Sequence, residues 1–205
     1  MKYKKYSEIN RDYFRALVNH YGDKIEAVDW GSEKSQNLRF DILYEAGIKI
    51  EHNVLDVGCG RGDFYSFLRS KGFKGTYQGI DLTPEMIEIA SNLYSEKYFE
   101  MRDLLVNPYE ENQFDFVIAS GIFYLRINDN RDFFHTMVRE LFRISKCGCA
   151  FNCLSSLASA KEPDEFYFDP SDLLRTCQTI TPYVTIRHDY KPNDLTIYMY
   201  KSAHV

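Results

Sequence analysis

No run in this chain of 205 residues approaches the eighteen apolar positions that a membrane-spanning helix requires. The first residues, MKYKKYSEINRDYFRAL, are basic but lack the apolar core and small-residue cleavage site of a secretory signal. A cytoplasmic protein is expected. There is no excess of positive charge: 25 Lys and Arg stand against 30 Asp and Glu, a net charge of −5. Such a balance gives no overall pull toward nucleic acid or an acidic membrane, which are met by clustered cations. Cysteine is scarce and odd in number, with 5 in the chain, so a disulfide framework is not expected and free thiols are. The histidines, His20, His52, His135, His188 and His204, contain no pair at zinc-binding spacing. Cys147, Cys149 and Cys153 share one parity, so on a strand they face one side with Phe151 as small buried hydrophobes rather than metal ligands. No metal is expected. Repeats and low-complexity linkers are also missing, and 44% hydrophobic with 27% charged residues is ordinary for one globular domain.

Strand and helix signals alternate along the chain. HNVLDV (52–57) is a strand followed by glycines, and DFYSFLRSKG (63–72) places Phe64, Phe67 and Leu68 on one helical face. GTYQGIDL (75–82) is a second strand; TPEMIEIASNLY (83–94) opens with Thr at the N-cap and Pro at the first helical position. EKYFEMRDLL (96–105), FDFVIAS (114–120) and CGCAFNCLS (147–155) fit three more strands, with a helix over 131–145. TPYVTIRHDY (181–190) and LTIYMYK (195–201) are joined by KPND, a hairpin signal. The expectation is an α/β fold, doubly wound, with a mostly parallel seven-stranded sheet that ends in an antiparallel hairpin. The sheet core spans 52–205, and residues 1–31 form an N-terminal helical lid or extension.

The stretch VLDVGCGRGDF (54–64) strips side chains from a turn after the first strand, where backbone approaches a ligand closely. A phosphate-cradling loop needs Lys and then Ser or Thr after its last glycine, and here Gly62 is followed by Asp63 and Phe64. A dinucleotide turn reads G-x-G-x-x-G, and an acidic residue just past it would repel a pyrophosphate. What fits is a ligand that is cationic near the turn and carries a ribose. Asp56 and Asp63 attract the cation, and Asp81, 19 residues after Gly62, accepts from the ribose hydroxyls. S-adenosylmethionine is such a ligand.

From about residue 30 onward the sequence resembles the class I S-adenosylmethionine-dependent methyltransferases. VLDVGCGRGDF is similar to their first motif, GIDLTPEMIEIA to the second, RDLL (102–105) to the adenine-contacting segment and FDFVIASGIFYLR to the fourth. The resemblance implies that Gly58 and Gly60, with Cys59 between them, line the methionine part of the cofactor. It further implies that Asp81 holds the ribose, that Leu82 and Met86 flank the adenine, and that Asp103, with Leu104 beside it, accepts from the adenine amino group. Ser120 closes the site. The stretches DWGSEKSQNLRF (29–40) and RHDYKPNDLTIYMYK (187–201) are similar to a small-protein branch of that family with no assigned substrate.

Trp30, before a helix start at GSEKSQ, is a candidate lid contact, and Arg39 on that helix is a candidate partner for the cofactor's carboxylate. No catalytic base is evident. Tyr124 and His188 are the candidates, although a hydrogen-bonded structural role is the bland reading of His188. Tyr124 and Phe123, with the aromatics of FYFDP (166–170) after the long loop 155–165, would line an acceptor pocket. SGIFYLR lacks the Asn-Pro-Pro-Tyr segment that marks amino-methylation of nucleobases. The expected acceptor is therefore a small molecule methylated at oxygen or nitrogen, by a monomer or homodimer. Two alternatives stay open: methylation of tRNA or protein, with MKYKK as its footprint, and a non-catalytic cofactor-binding regulatory subunit.

Overall fold

The computed structural model describes residues 4–127 and 130–203. His204, Tyr3 and the first residues of MKYKK lie outside them. Helix α1 (Lys4–Tyr21) and a 3-10 turn (Ile25–Val28) precede α2 (Glu33–Tyr44), which Ser32 caps by accepting from the Ser35 N–H at 3.2 Å. The alternating core follows as β1 (Asn53–Val57), α3 (Asp63–Ser70), β2 (Thr76–Asp81), α4 (Pro84–Leu93), β3 (Phe99–Met101) and β4 (Phe114–Ala119). It continues as α5 (Asn130–Ile144), β5 (Ser145–Ser155), β6 (Tyr167–Phe168), α6 (Pro170–Gln178), β7 (Val184–Arg187) and β8 (Asp194–Tyr200).

The main path of the sheet runs β3-β2-β1-β4-β5-β8-β7, and the two-residue β6 pairs with β5 off that path. All pairs among the first five strands are parallel; β8 is antiparallel to both neighbours, β5 and β7. The doubly wound reading with an antiparallel end is thus borne out. The third strand is shorter than EKYFEMRDLL implied, because Glu96–Tyr98 turns into a 3-10 helix and only Phe99–Met101 pair with β2.

Side-chain parity distributes the central strands between two cores. On β5 and β8, Cys149, Phe151, Cys153, Leu195, Ile197 and Met199 join one cluster with the apolar stripe of α5; Ala150, Tyr198 and Tyr200 join the other, beneath α2 and α3. The cysteine parity argument holds for Cys149 and Cys153, whereas Cys147, at the strand's start, is exposed. On β4 a register shift between Phe114 and Phe116 moves Phe114 to the α5 side, opposite to its even-numbered neighbours Phe116 and Ile118. Among the described residues no helix is long and apolar enough to cross a membrane.

Strand order reverses between β1 and β4, since β1 leads outward to β2 and β3 while β4 leads to β5. Ligand crevices of open α/β sheets form at such a switch point, beyond the carboxyl ends of the strands.

Candidate active site

At that switch point lies a cavity of about 440 Å³, within the range of roughly 300–1,000 Å³ typical of small-molecule sites. The glycine turn forms its floor. Gly58, Gly60 and Gly62 have φ of 77°, 52° and 82°, the left-handed region that side chains disfavour. Gly58 and Cys59 donate their N–H groups to Ile80 O at 2.8 and 3.0 Å, which ties the turn to the end of β2. A Cβ on Gly60 would stand 2.8 Å from Val28 Cγ1, and one on Gly58 would stand 2.4 Å from Ile122 Cγ2. The glycines are therefore required first by close approach of protein to protein, a different reason from the ligand contact that the sequence suggested.

Asp81 ends β2, and its carboxylate holds the turn. Oδ2 accepts from the Gly60 N–H at 3.0 Å and Oδ1 from the Thr83 N–H at 2.8 Å. Thr83 thus occupies the N-cap position of α4, but its side chain makes no cap bond. Burial raises the Asp81 carboxyl, and these two N–H bonds oppose that rise. Asp81 also lines the cavity, so its carboxylate is held at the wall by the same bonds that shape the turn.

Asp56, inside β1, is 2% exposed and accepts from the Tyr77 hydroxyl at 2.7 Å. Asp63 receives Arg61 Nη2 at 2.8 Å and Gln36 Nε2 at 3.1 Å. Burial pushes the Asp56 carboxyl up to about 7, against the hydrogen bond from Tyr77. Less free negative charge therefore faces the turn than the bare residues imply: desolvation keeps Asp56 largely protonated below neutrality, and Arg61 pairs Asp63.

The sign of the resulting pH dependence follows. An unfolded chain loses the Asp56 proton near pH 4, while the folded chain keeps it to about 7, so this group favours the fold less as pH rises through that window. Asp56→Asn, which keeps an acceptor for Tyr77 without the ionisation, is expected to gain about 4 kcal/mol relative to the parent between pH 4 and pH 8. Urea unfolding of both proteins at the two pH values measures this. A difference that stays constant with pH would show Asp56 ionising like a solvated carboxylate.

The remaining cofactor candidates also reach the cavity, whereas Phe123, buried in the core, and the aromatics Phe166, Tyr167 and Phe168, expected at an acceptor pocket, lie outside its lining. Leu82, Met86 and Leu104 supply apolar wall, and Ser120 accepts from Asn152 Nδ2 at 3.0 Å. Asp103 accepts from Leu105 N–H at 3.0 Å and, on Oδ2, from the Ser7 hydroxyl of α1 at 2.6 Å. Trp30 lies over the Arg39 guanidinium, 4.6 Å from ring centroid to Cζ. Arg39 is buried rather than solvated, lines the cavity, and its Nη2 stands 2.6 Å from Asp194 Oδ2.

Tyr124 reaches the cavity and donates to Asp29, which also receives the Tyr13 hydroxyl at 2.8 Å. Burial and the Asp29 carboxylate raise the Tyr124 phenol far beyond its ordinary value. It stays neutral and can orient an acceptor through its oxygen, but it is not a base. His188 is excluded from the site: it lies past the end of β7, its Nε2 3.2 Å from Pro192 O and away from the cavity lining.

The lid expected over 1–31 supplies part of the lining, and a few further lining residues escaped the sequence reading. Tyr6, Ser7, Asn10 and Phe14 of α1 roof the cavity, and Asn152 donates to Ser120 and accepts from the Gly121 N–H at 2.8 Å. Asn152 was visible as a lone amide in an apolar strand. Lys191 and Asp194 were hidden in KPND, where they looked like turn residues.

A glycine turn with a carboxylate at the next strand end, at the switch point of a sheet whose eighth strand runs antiparallel, defines a nucleoside-binding transferase of the methyltransferase type. Residues 54–144 match the family described as a methyltransferase domain. A provisionally assigned methyltransferase of Mycobacterium tuberculosis is 31% identical over 158 residues, covering 74% of this chain and 94% of that protein. The demethylmenaquinone methyltransferase of Oceanobacillus iheyensis is 27% identical over 165 residues, 76% of this chain but 66% of its own length. Among solved structures, magnesium protoporphyrin IX methyltransferase from Synechocystis with bound S-adenosylhomocysteine superposes with a TM-score of 0.66 at 15% identity, covering 95% of this chain and 99% of that one. The chain belongs to the class I S-adenosylmethionine-dependent methyltransferases.

Proposed function

We propose that this enzyme transfers a methyl group from S-adenosylmethionine to an oxygen or nitrogen of a small-molecule acceptor. The observation that carries the reading is the shape of the lining. One continuous cavity is lined by the glycine turn, Asp81 and Asp103 and also by Trp30, Tyr124, Asn152, Glu165 and Lys191. That arrangement suits two small ligands set end to end. A demethylmenaquinone methyltransferase among the relatives acts on a small acceptor by its name, and the net charge of −5 disfavours a polyanion.

When bound, the cofactor supplies a methyl group activated on a sulfonium sulfur. The chain's tasks are then positioning and exclusion of water. Asp81 and Asp103 anchor the nucleoside end, the Gly58–Gly60 turn admits the methionine end, and neutral Tyr124 offers the acceptor a fixed hydrogen-bonding oxygen. Helix α1 closes the roof. Its Tyr6 stacks on Phe133 with ring centroids 3.5 Å apart and donates to Ile122 O at 2.9 Å, and Arg15 pairs with Glu85 at 2.7 Å.

Incubation with methyl-labelled S-adenosylmethionine and a metabolite extract tests the reading. A labelled small product is expected; a labelled RNA or protein band would replace the acceptor class, and binding without turnover would make the chain a regulatory subunit. Removal of residues 1–31 probes the roof. The shortened chain is expected to stay folded, because the sheet lies downstream, yet to lose S-adenosylhomocysteine affinity by more than roughly tenfold with the α1 wall gone. Thermal melting and calorimetry on the two lengths decide it, and an insoluble shortened chain would make α1 part of the core.

A further inference from the structure

The β7–β8 connection brings a second cation to the cavity wall. In Arg39, Nη1 donates to Ser35 O at 2.9 Å and Ser35 Oγ at 2.6 Å, Nη2 pairs with Asp194, and Trp30 covers the guanidinium face. Asp194 is 3% exposed and its charge is spent on Arg39. Lys191 Nζ donates to the neutral Ser35 hydroxyl at 3.0 Å and stands 3.7 Å from Asp194 Oδ2, beyond hydrogen-bond reach. Two cations thus share one carboxylate at a largely desolvated wall. The other carboxylates on this side are occupied, Asp29 by Tyr13 and Tyr124 and Glu165 by Tyr167. Burial and the Arg39 charge depress the Lys191 ammonium, and Asp194 opposes them. With two cations against one buried carboxylate this wall carries a net positive charge, so an anion brought by a ligand is favoured there.

We propose that Lys191, backed by Arg39, is an oxyanion subsite, and that the acceptor carries a carboxylate that docks on it. The inference rests on the methyltransferase reading. Position separates the acceptor from the cofactor as the source of that carboxylate. Asp194 opens β8, four strands from β2 and Asp81 in the sheet order, about 19 Å between strand axes, which favours the acceptor over the cofactor's amino-acid arm as the source.

The test is calorimetry on the full chain and on Lys191→Met, with Lys191→Arg as a charge-keeping control. Lys191 is 28% exposed, so the Met variant is expected to fold. Each protein is saturated with S-adenosylhomocysteine and titrated with benzoate or with neutral benzamide; S-adenosylhomocysteine and 5′-methylthioadenosine, which lacks the carboxylate, are titrated separately. Benzoate is expected to bind the parent and the Arg variant and to weaken at least about tenfold in the Met variant, with benzamide indifferent to the substitution. Lys191→Met weakening S-adenosylhomocysteine but not 5′-methylthioadenosine would give the subsite to the cofactor and overturn the acceptor assignment. Benzoate that fails to bind the parent, or binds both proteins alike, would overturn it as well. Lys191-dependent benzoate binding without affinity for S-adenosylhomocysteine would sink the methyltransferase reading while supporting the subsite.

Discussion

Asp81→Ala is expected to lower affinity for S-adenosylhomocysteine roughly 100-fold, a loss of about 3 kcal/mol. Two losses combine. The ribose hydroxyls lose a charged acceptor, worth about 1.5–3 kcal/mol, and the Gly60 N–H that Asp81 Oδ2 fixes at 3.0 Å is released, so the turn loses its shape. The fold should weaken too, by about 2 kcal/mol, because the Gly60 and Thr83 N–H groups are left without partners. Asp81→Asn should fall between: its one amide oxygen can replace one carboxylate acceptor, while its NH2 group faces a second N–H. Calorimetry and urea unfolding on the three proteins measure both effects. Unchanged affinity in the Ala variant removes Asp81 from the ligand site and leaves it as a turn staple.

Gly60→Val should be the most damaging single change. Valine resists a φ of 52°, at a cost of about 1–3 kcal/mol, and its Cβ would lie 2.8 Å from Val28 Cγ1. Pushing Val28 aside displaces the 3-10 turn Ile25–Val28 and, behind it, Asp29 and Trp30, at a further cost of about 1–3 kcal/mol. The expected result is a destabilised protein with no measurable cofactor binding. Val28→Ala added to the Gly60→Val protein separates the two causes, since it relieves the contact and not the backbone strain. Partial recovery of stability in the double variant is expected, and none would place the whole cost in φ.

Much of this fold could be read from local signals. GlyxGlyxGly after a short apolar run gave β1, its turn and α3 within a residue or two, and Thr-Pro marked the start of α4. The antiparallel end was legible because KPND sits between two β-rich runs. Helix α6 was missed although Asp169-Pro170 carries its start: Asp169 Oδ1 accepts from Ser171 and Asp172 N–H at 2.9 and 3.1 Å, the pattern that Asp-Pro announces. The aromatics of FYFDP drew attention away from it. In the site, residues adjacent to a motif were legible and residues that meet it across the fold were not. Ser7 reaches Asp103 over 96 positions and Lys191 reaches Ser35 over 156, distances that no periodicity spans. The charges of Asp56 and Asp63 were legible as letters, but their neutralisation by burial and by Arg61 belongs to tertiary packing.

The placement of β8 has a consequence for biosynthesis. This strand comes late in the sequence yet lies inside the sheet, with all of Asp194–Tyr200 buried between β5 and β7. On the ribosome, the segment through β5 can emerge and pair its parallel strands while the slot for β8 stays open. That leaves the β5 edge able to pair with another nascent chain until residue 200 is released. The two ends of the cavity therefore mature at different moments. The Gly58–Gly60 turn and Asp81 can assemble during translation, whereas Lys191 and Asp194 join the cavity wall last.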